Sequence, residues 1–178
     1  MAWQMKAKIT KSIVHLCGIP GCGKTTYARW LERQKGFLHL DFDKLLNGQG
    51  PEDQLRLVQA LQTKGPKLFV ATVRRARRSI AIDWGFPPNS LPLVEALQQE
   101  GVLVWWFDGD REAARQSFIK RGDVSVGALD RQMALIQEVW LQIMTVVGPN
   151  VINALNRDGS YLPPEEIFEQ MFGRDQTP

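Results

Sequence analysis

The chain has 178 residues, 44 % of them hydrophobic and 23 % charged, which is the size of one domain with a globular composition and excludes collagen, coiled coil and intrinsic disorder. Twenty-two Lys and Arg against nineteen Asp and Glu leave a net charge of +3, a mild excess that suits an anionic ligand but falls short of the basic footprint of a nucleic-acid binder. No apolar run reaches the ~20 residues of a bilayer span, and Met1 to Thr10 lacks a signal-like apolar stretch. A cytoplasmic protein with no membrane partner, and with reduced thiols at Cys17 and Cys22, is therefore expected.

In chain order, Ser12 to Cys17 (SIVHLC) is a short β-rich run that ends in glycines, and Lys24 to Gln34 follows it as a helix. Phe37 to Leu40 is a second apolar run ending at Asp41 and Asp43, and Pro51 to Thr63 carries Leu55, Val58 and Leu61 at helical spacing. Within Lys67 to Arg78, LFVATV alone reads as a strand, but Pro66 suits a first helical position and RRARR favours a helix, so a helix is expected. Ser79 to Asp83 (SIAID) is the third strand and Trp84 to Ser90 a loop with Pro87 and Pro88. Leu91 to Glu100 is a helix stopped by Gly101, and Val102 to Phe107 a buried fourth strand. Arg111 to Arg121 is helical. Beyond a break at Gly122 to Gly127, one long helix is expected from about Ala128 to Val147, because Leu129, Met133, Ile136, Trp140 and Ile143 step by three or four. Val151 to Leu155 is a fifth strand and Pro163 to Met171 a closing helix before Gly173. Strands alternating with helices predict one α/β domain over residues 1–178, a three-layer fold whose parallel sheet is covered by helices on both faces.

Gly18 to Thr25 (GIPGCGKT) matches G-x-x-x-x-G-K-[ST] between a predicted strand and a predicted helix. Glycines there let successive N–H groups turn inward onto phosphate oxygens, and the following helix adds its positive dipole end. Lys24 is expected to reach the β and γ phosphates and the Thr25 hydroxyl to ligate Mg²⁺. Gly18, Gly21, Cys22, Gly23, Lys24, Thr25 and Thr26 are accordingly the expected nucleotide-binding residues. Cys22 admits two readings, a small residue tolerated in the loop or an exposed thiol whose oxidation blocks phosphate entry. Cys17 is expected in the core.

Asp41 and Asp43 close the second strand, at the sheet edge where ligands of open α/β sheets bind. Alternate residues of an extended end point the same way, so both are expected to face the γ phosphate, one orienting Mg²⁺ through water and one taking a proton from an acceptor hydroxyl. The structural alternative is that Asp43 caps the turn Lys44-Leu45-Leu46. Asp83 ends an apolar strand as a magnesium-orienting acid does, while Asp108 and Asp110 read as turn and capping residues. Arg111, Arg115, Lys120 and Arg121 lie on or beside a helix next to a glycine break, as on a lid that closes over a nucleotide; singly each also fits a solvated face. Arg74, Arg75, Arg77 and Arg78 form the densest basic cluster, suited to RNA or another anionic partner, or to solvation at a helix end.

With GIPGCGKTT, HLDFD, AIDWGF, DGDREAARQSFIKRGD and VINAL in this order over nearly the whole length, the chain resembles the small P-loop kinases of nucleoside monophosphate kinase-like fold. Within them it is similar to the branch of zeta toxin, chloramphenicol phosphotransferase and polynucleotide kinase. The resemblance implies a five-stranded parallel sheet with the phosphate-loop strand central and a helical lid over about residues 111–130. It implies Asp43 as general base with Asp41 as competitor, and a nucleobase pocket near Asn153 to Gly159. The expected activity is transfer of the γ-phosphate of ATP, with Mg²⁺, to a hydroxyl of a small molecule or of a nucleic-acid 5′ end. Lys24, Thr25, Asp43, Asp41 or Asp83, and Arg115 or Arg121 would carry it. The rival expectation is a nucleotide-dependent binding module or slow ATPase that engages RNA or a protein through Arg74 to Arg78.

Overall fold

Each strand read from the sequence is present within two residues of its expected limits. The computed structural model describes residues 11–76, 78–86, 88–122 and 125–173. The strands are β1 (Ile13–Gly18), β2 (Leu38–Asp41), β3 (Ile80–Asp83), β4 (Leu103–Gly109) and β5 (Val151–Leu155). They form one parallel sheet in the order β2-β3-β1-β4-β5. β1 is therefore central, and the direction of winding reverses at it, which opens a crevice at the carboxyl ends of the strands. The helices are α1 (Lys24–Lys35), α2 (Phe42–Leu45), α3 (Glu52–Arg75), α4 (Leu91–Gln99), α5 (Arg111–Arg121), α6 (Val126–Glu138), α7 (Trp140–Val147) and α8 (Pro164–Phe172), with a 3₁₀ turn at Pro88–Ser90.

Buried on both faces, the sheet reads as nearly continuous apolar runs, and β1 and β3 have no exposed residue. α1 and α8 cover one face together, Trp30 meeting Phe168 and Phe37 meeting Phe172 edge-on or tilted at about 6 Å. α3, α4 and α7 pack as neighbours in the other helical layer. Trp106, Phe42, Phe69 and Phe107 fill the core between these layers and the strands.

Three expectations are corrected. The long helix over 128–147 is two helices, because Val139 leaves helical geometry (φ −102°, ψ 17°). The break turns Ile143, Val146 and Val147 of α7 inward beside β4 and sets Trp140 edge-on to Trp106 at 5.7 Å. A one-residue irregularity hardly disturbs a three-to-four spacing, so the pattern runs through it unseen. The helix expected over Lys67 to Arg78 ends at Arg75 and continues the preceding one as α3, interrupted only in its dihedrals at Gly65 (φ 81°, ψ 175°) with Pro66 opening the second half. Finally, the cap before Lys44-Leu45-Leu46 is Asp41, not Asp43: its Oδ1 accepts from the Lys44 amide at 3.2 Å, because α2 already begins at Phe42.

Candidate active site

The phosphate loop is held by close backbone approaches that only glycine permits. At Gly18 (φ 135°) a Cβ would collide with the Phe107 carbonyl of β4, and at Gly21 (φ 83°) with the Ala114 carbonyl of α5. Gly23 (φ 90°) starts α1 without a side-chain cap and with no acidic residue in the first turn. The first amides of α1 thus have no side-chain cap and the positive end of the helix dipole behind them, an arrangement suited to an anion. Lys24 Nζ donates to the carbonyls of Gly18 (3.0 Å) and Ile19 (2.8 Å), folded along the loop. Cys22 accepts on Sγ from Lys24 Nζ at 3.7 Å. Its thiol is buried and aimed at the carbonyls of Ile19 and Phe107, and burial raises its pKa, so the exposed, oxidisable thiol is not what the structure contains. Cys17 is core, its thiol also pushed up by burial.

The loop opens onto a cavity of about 380 Å³ lined by Lys24, Thr25, Thr26, Asp43, Asp83 and Arg121 among others. Asp83 ends β3 with only 5 % of its surface exposed, and its Oδ2 accepts from His39 Nε2 at 3.1 Å. Asp43 stands in the first turn of α2; burial raises its pKa, the neighbouring carboxylates of Asp83 and Asp41 raise it further, and Lys24 opposes them. Asp41 does not share its direction, because the chain turns from strand to helix between the two. Asp41 caps α2, pairs with Lys44 Nζ at 3.1 Å and lines a separate, smaller depression with His39 and Arg29. Thr25 and Asp83 offer hard oxygen donors suited to Mg²⁺. No group of three His, Cys, Asp or Glu side chains forms a metal site among the described residues, so a cation at this place would share its coordination with phosphate oxygens and water.

Of the lid arginines, Arg121 lines the cavity beside Phe118 and Ser117. Arg115 pairs with Asp130 at 3.2 Å on the outside of α5, and Arg111 with Asp108 at 3.4 Å over the Trp140 ring. Asp110 caps α5 at Ala113. Arg74 donates to the Glu100 carbonyl at 2.8 Å, and Arg75 ends α3 just before the amino end of β3. That basic cluster, with Arg78, therefore sits at the sheet edge opposite the phosphate loop; Arg77 lies outside the described residues.

Sequence reading missed His39, Ser117, Gln132 and Tyr161. Tyr161 donates from its hydroxyl to the Gly21 carbonyl at 2.7 Å, accepts from Ser117 Oγ at 2.6 Å, and lays its ring against Gly23. His39 had a signal only in hindsight: β2 and β3 pair with Asp41 opposite Asp83, so His39, two residues back on the same face, is the diagonal neighbour of Asp83. The loop after β5 contributes Arg157, Asp158, Gly159 and Tyr161 to an open depression beside α5, at the place expected for a nucleobase.

This is the fold of the small P-loop kinases. The chain is similar to a shikimate kinase from Acinetobacter baumannii solved with shikimate (TM-score 0.61, 16 % identity, covering 94 % of this chain and 96 % of that one). It is also similar to a gluconokinase from Sinorhizobium meliloti 1021 (0.53, 14 %, 92 % and 91 %) and a shikimate kinase from Bacteroides thetaiotaomicron (0.51, 13 %, 90 % and 94 %). No family model and no curated protein matches the chain. No helix among the described residues is long and apolar enough to cross a membrane.

Proposed function

We propose that the protein is an ATP-dependent kinase that phosphorylates a hydroxyl of a small molecule. The observation that carries this reading is the meeting, in one cavity, of an uncapped helix N-terminus, Lys24, Thr25, a structurally held Asp83 and an Asp43 whose proton affinity is raised. In it the loop amides and Lys24 hold the β and γ phosphates, and Thr25 and Asp83 would hold Mg²⁺, which neutralises phosphate charge. Asp43 takes the acceptor proton as the acceptor oxygen bonds to the γ-phosphorus and the bond to the bridging oxygen of ADP breaks. Arg121 closes on the transferred group from α5, with α5 and the start of α6 as the lid. The resemblance to the zeta toxin branch supports the base assignment, and the fold neighbours are themselves kinases named for the small hydroxylated molecules gluconate and shikimate. The rival binding-module reading has less support, since the fold neighbours are kinases and Arg74 of its cluster is engaged with the Glu100 carbonyl.

The test pairs two variants. Lys24→Met is expected to abolish ATP binding measured by calorimetry, and Asp43→Asn to keep it while phosphotransfer to an accepted alcohol falls by about 10²–10⁴-fold, the usual contribution of a positioned general base. Wild-type transfer rates in Asp43→Asn would remove the base assignment. Absence of transfer to any alcohol, with ATP still bound and slowly hydrolysed, would remove the kinase reading.

A further inference from the structure

Of the two histidines, His15 of β1 is the one wholly out of solvent. Its Nε2 lies 3.0 Å from the Trp84 carbonyl oxygen. A carbonyl only accepts, so the proton is on Nε2, and Nδ1 is left as a buried acceptor with no hydrogen-bond partner among the described residues. Burial keeps the ring neutral, pushing its pKa down to about 4. The ring packs against Trp84 and Phe86, with centroids 6.0 and 5.8 Å away. For packing alone an apolar ring would serve as well, and it would strand no ring nitrogen. A buried group that costs stability without improving the core calls for a functional reason.

What His15 holds is a peptide unit. The Trp84–Gly85 bond is trans, so its carbonyl and its N–H lie in one plane and point in opposite directions. With the carbonyl drawn to the buried imidazole, the Gly85 N–H is turned away from it. Gly85 is the single residue from Ile80 to Phe86 that is not buried, and it lines the phosphate cavity. Its N–H has no acceptor among the described residues. The same glycine stands against the phosphate loop: a Cβ on it would come within 3.7 Å of Lys24 Cε and within 3.9 Å of Lys24 Nζ and the Gly18 carbonyl oxygen. An unpartnered amide beside the Lys24 ammonium is a donor suited to a phosphate oxygen, and its direction is fixed from behind by a side chain in the core.

We infer that His15 is a positioning residue for phosphoryl transfer: by holding the Trp84 carbonyl and packing on Trp84 and Phe86, it presents the Gly85 amide to the terminal phosphate of the nucleotide next to Lys24. The inference rests on the nucleotide site of the kinase reading above, and it assigns no contact between His15 and substrate. It predicts a selective effect. ADP lacks the phosphate that Gly85 meets, so its affinity is indifferent to His15, whereas that of a triphosphate is not. During transfer the amide stays aimed at an oxygen of the moving group, so turnover suffers more than acceptor binding does.

The experiment compares Mg²⁺–ADP with the non-hydrolysable β,γ-imido analogue of ATP by calorimetry. It uses the wild type, His15→Phe, which keeps a ring and removes the donor, and His15→Gln, whose side-chain amide supplies a donor at nearly the place of Nε2. His15→Phe is expected to weaken the analogue about tenfold and ADP by less than about twofold, as for one hydrogen bond to a charged group that is loosened rather than deleted. With an accepted alcohol, kcat should fall about ten- to hundredfold while the KM of the alcohol stays within about threefold. His15→Gln should regain most of the analogue's affinity. Thermal unfolding checks that each variant is folded, and His15→Met replaces His15→Phe if the larger ring is not accommodated. Equal weakening of ADP and analogue, no weakening at all, or a His15→Gln no better than His15→Phe overturns the inference and leaves the kinase reading intact. Weakening of the analogue alone, together with no transfer to any alcohol by the wild type, upholds the role of His15 at the terminal phosphate and overturns the kinase reading.

Discussion

The hydrogen bond from His39 to Asp83 ties the sheet edge to the site, and its removal has calculable consequences. Asp83 is 5 % exposed, and the 3.1 Å bond from His39 Nε2 engages Oδ2. His39→Ala leaves that oxygen without a donor in a poorly solvated place. A net loss of about 1.5–3 kcal/mol is expected for a hydrogen bond to a charged group. The upper end of the range for breaking buried ion pairs, about 5 kcal/mol, is not reached, because the depression beside His39 admits water once the imidazole is gone. For a chain of this length, each kcal/mol shifts Tm by about 2–4 °C, so a drop of about 3–12 °C is predicted in thermal unfolding. His39→Gln, which restores a donor, should recover most of it. In a double-mutant cycle with Asp83→Asn, the two losses should fall short of additivity by at least about 1 kcal/mol. Function should follow: an Asp83 free to rotate raises the Mg²⁺ concentration needed for half-maximal transfer more than it lowers kcat. If His39→Ala unfolds within about 1 °C of the wild type, or if the two losses add fully, His39 only fills space and Asp83 is not held by it.

Other perturbations have equally definite outcomes. Gly21→Ala forces a side chain into the left-handed region and against the Ala114 carbonyl; a loss of about 2 kcal/mol or more in urea unfolding and complete loss of ATP binding are expected. Tyr161→Phe removes the bond to the Gly21 carbonyl; because the site is partly exposed, stability should fall by no more than about 1 kcal/mol, with a weaker KM for ATP as the signature of a loosened loop. Burial lowers the pKa of His15 to about 4, against 6.5 for the free side chain. The unfolded chain therefore takes up a proton that the folded one refuses: this contribution is intact above pH 6.5 and is lost as pH falls towards 4, by about 3 kcal/mol in all. Urea titrations across that window should show the slope, and His15→Met should flatten it. Asp43, with its raised pKa, should give transfer an acid limb above the ordinary carboxylate range, with activity lost as pH falls and the base takes its proton.

The strands and the phosphate loop were legible because each is specified by contiguous residues. A buried parallel strand is a run of apolar side chains whichever neighbours it finds, as Ile80 to Ile82 of β3 show. Likewise, a phosphate loop works through backbone groups that its own glycines arrange. Even the ambiguous LFVATV segment yielded, since Pro66 and the arginines are local signals of a helix. The failures have one physical source, the decision of packing over local pattern. Val139 breaks a helix whose spacing is uninterrupted because Trp140 has to meet Trp106. Asp41 and Asp43 diverge because Phe42 is needed in the core against Phe69 and Trp84, which commits the chain to a helical turn one residue before the second carboxylate.

That turn bears on how the site divides its labour. Had β2 continued through Asp43, both carboxylates would have faced the phosphates as a like-charged pair, and neither would have been distinguished as base. By burying Phe42 and capping α2 with Asp41, the fold assigns one acid to the helix and leaves the other in the cavity, where burial and then the charges of Asp83 and Asp41 raise its affinity for a proton. His39 holds Asp83 in place instead, its Nε2 donating to Oδ2 at 3.1 Å across the β2–β3 pair. The two carboxylates of the cavity thus differ in their surroundings, Asp43 beside like charges and Asp83 bonded to an imidazole, as the proposed division into base and cation ligand requires. The partners that separate them come from segments 44 residues apart for His39 and Asp83, a distance over which a sequence states no pairing until the register of β2 on β3 is known.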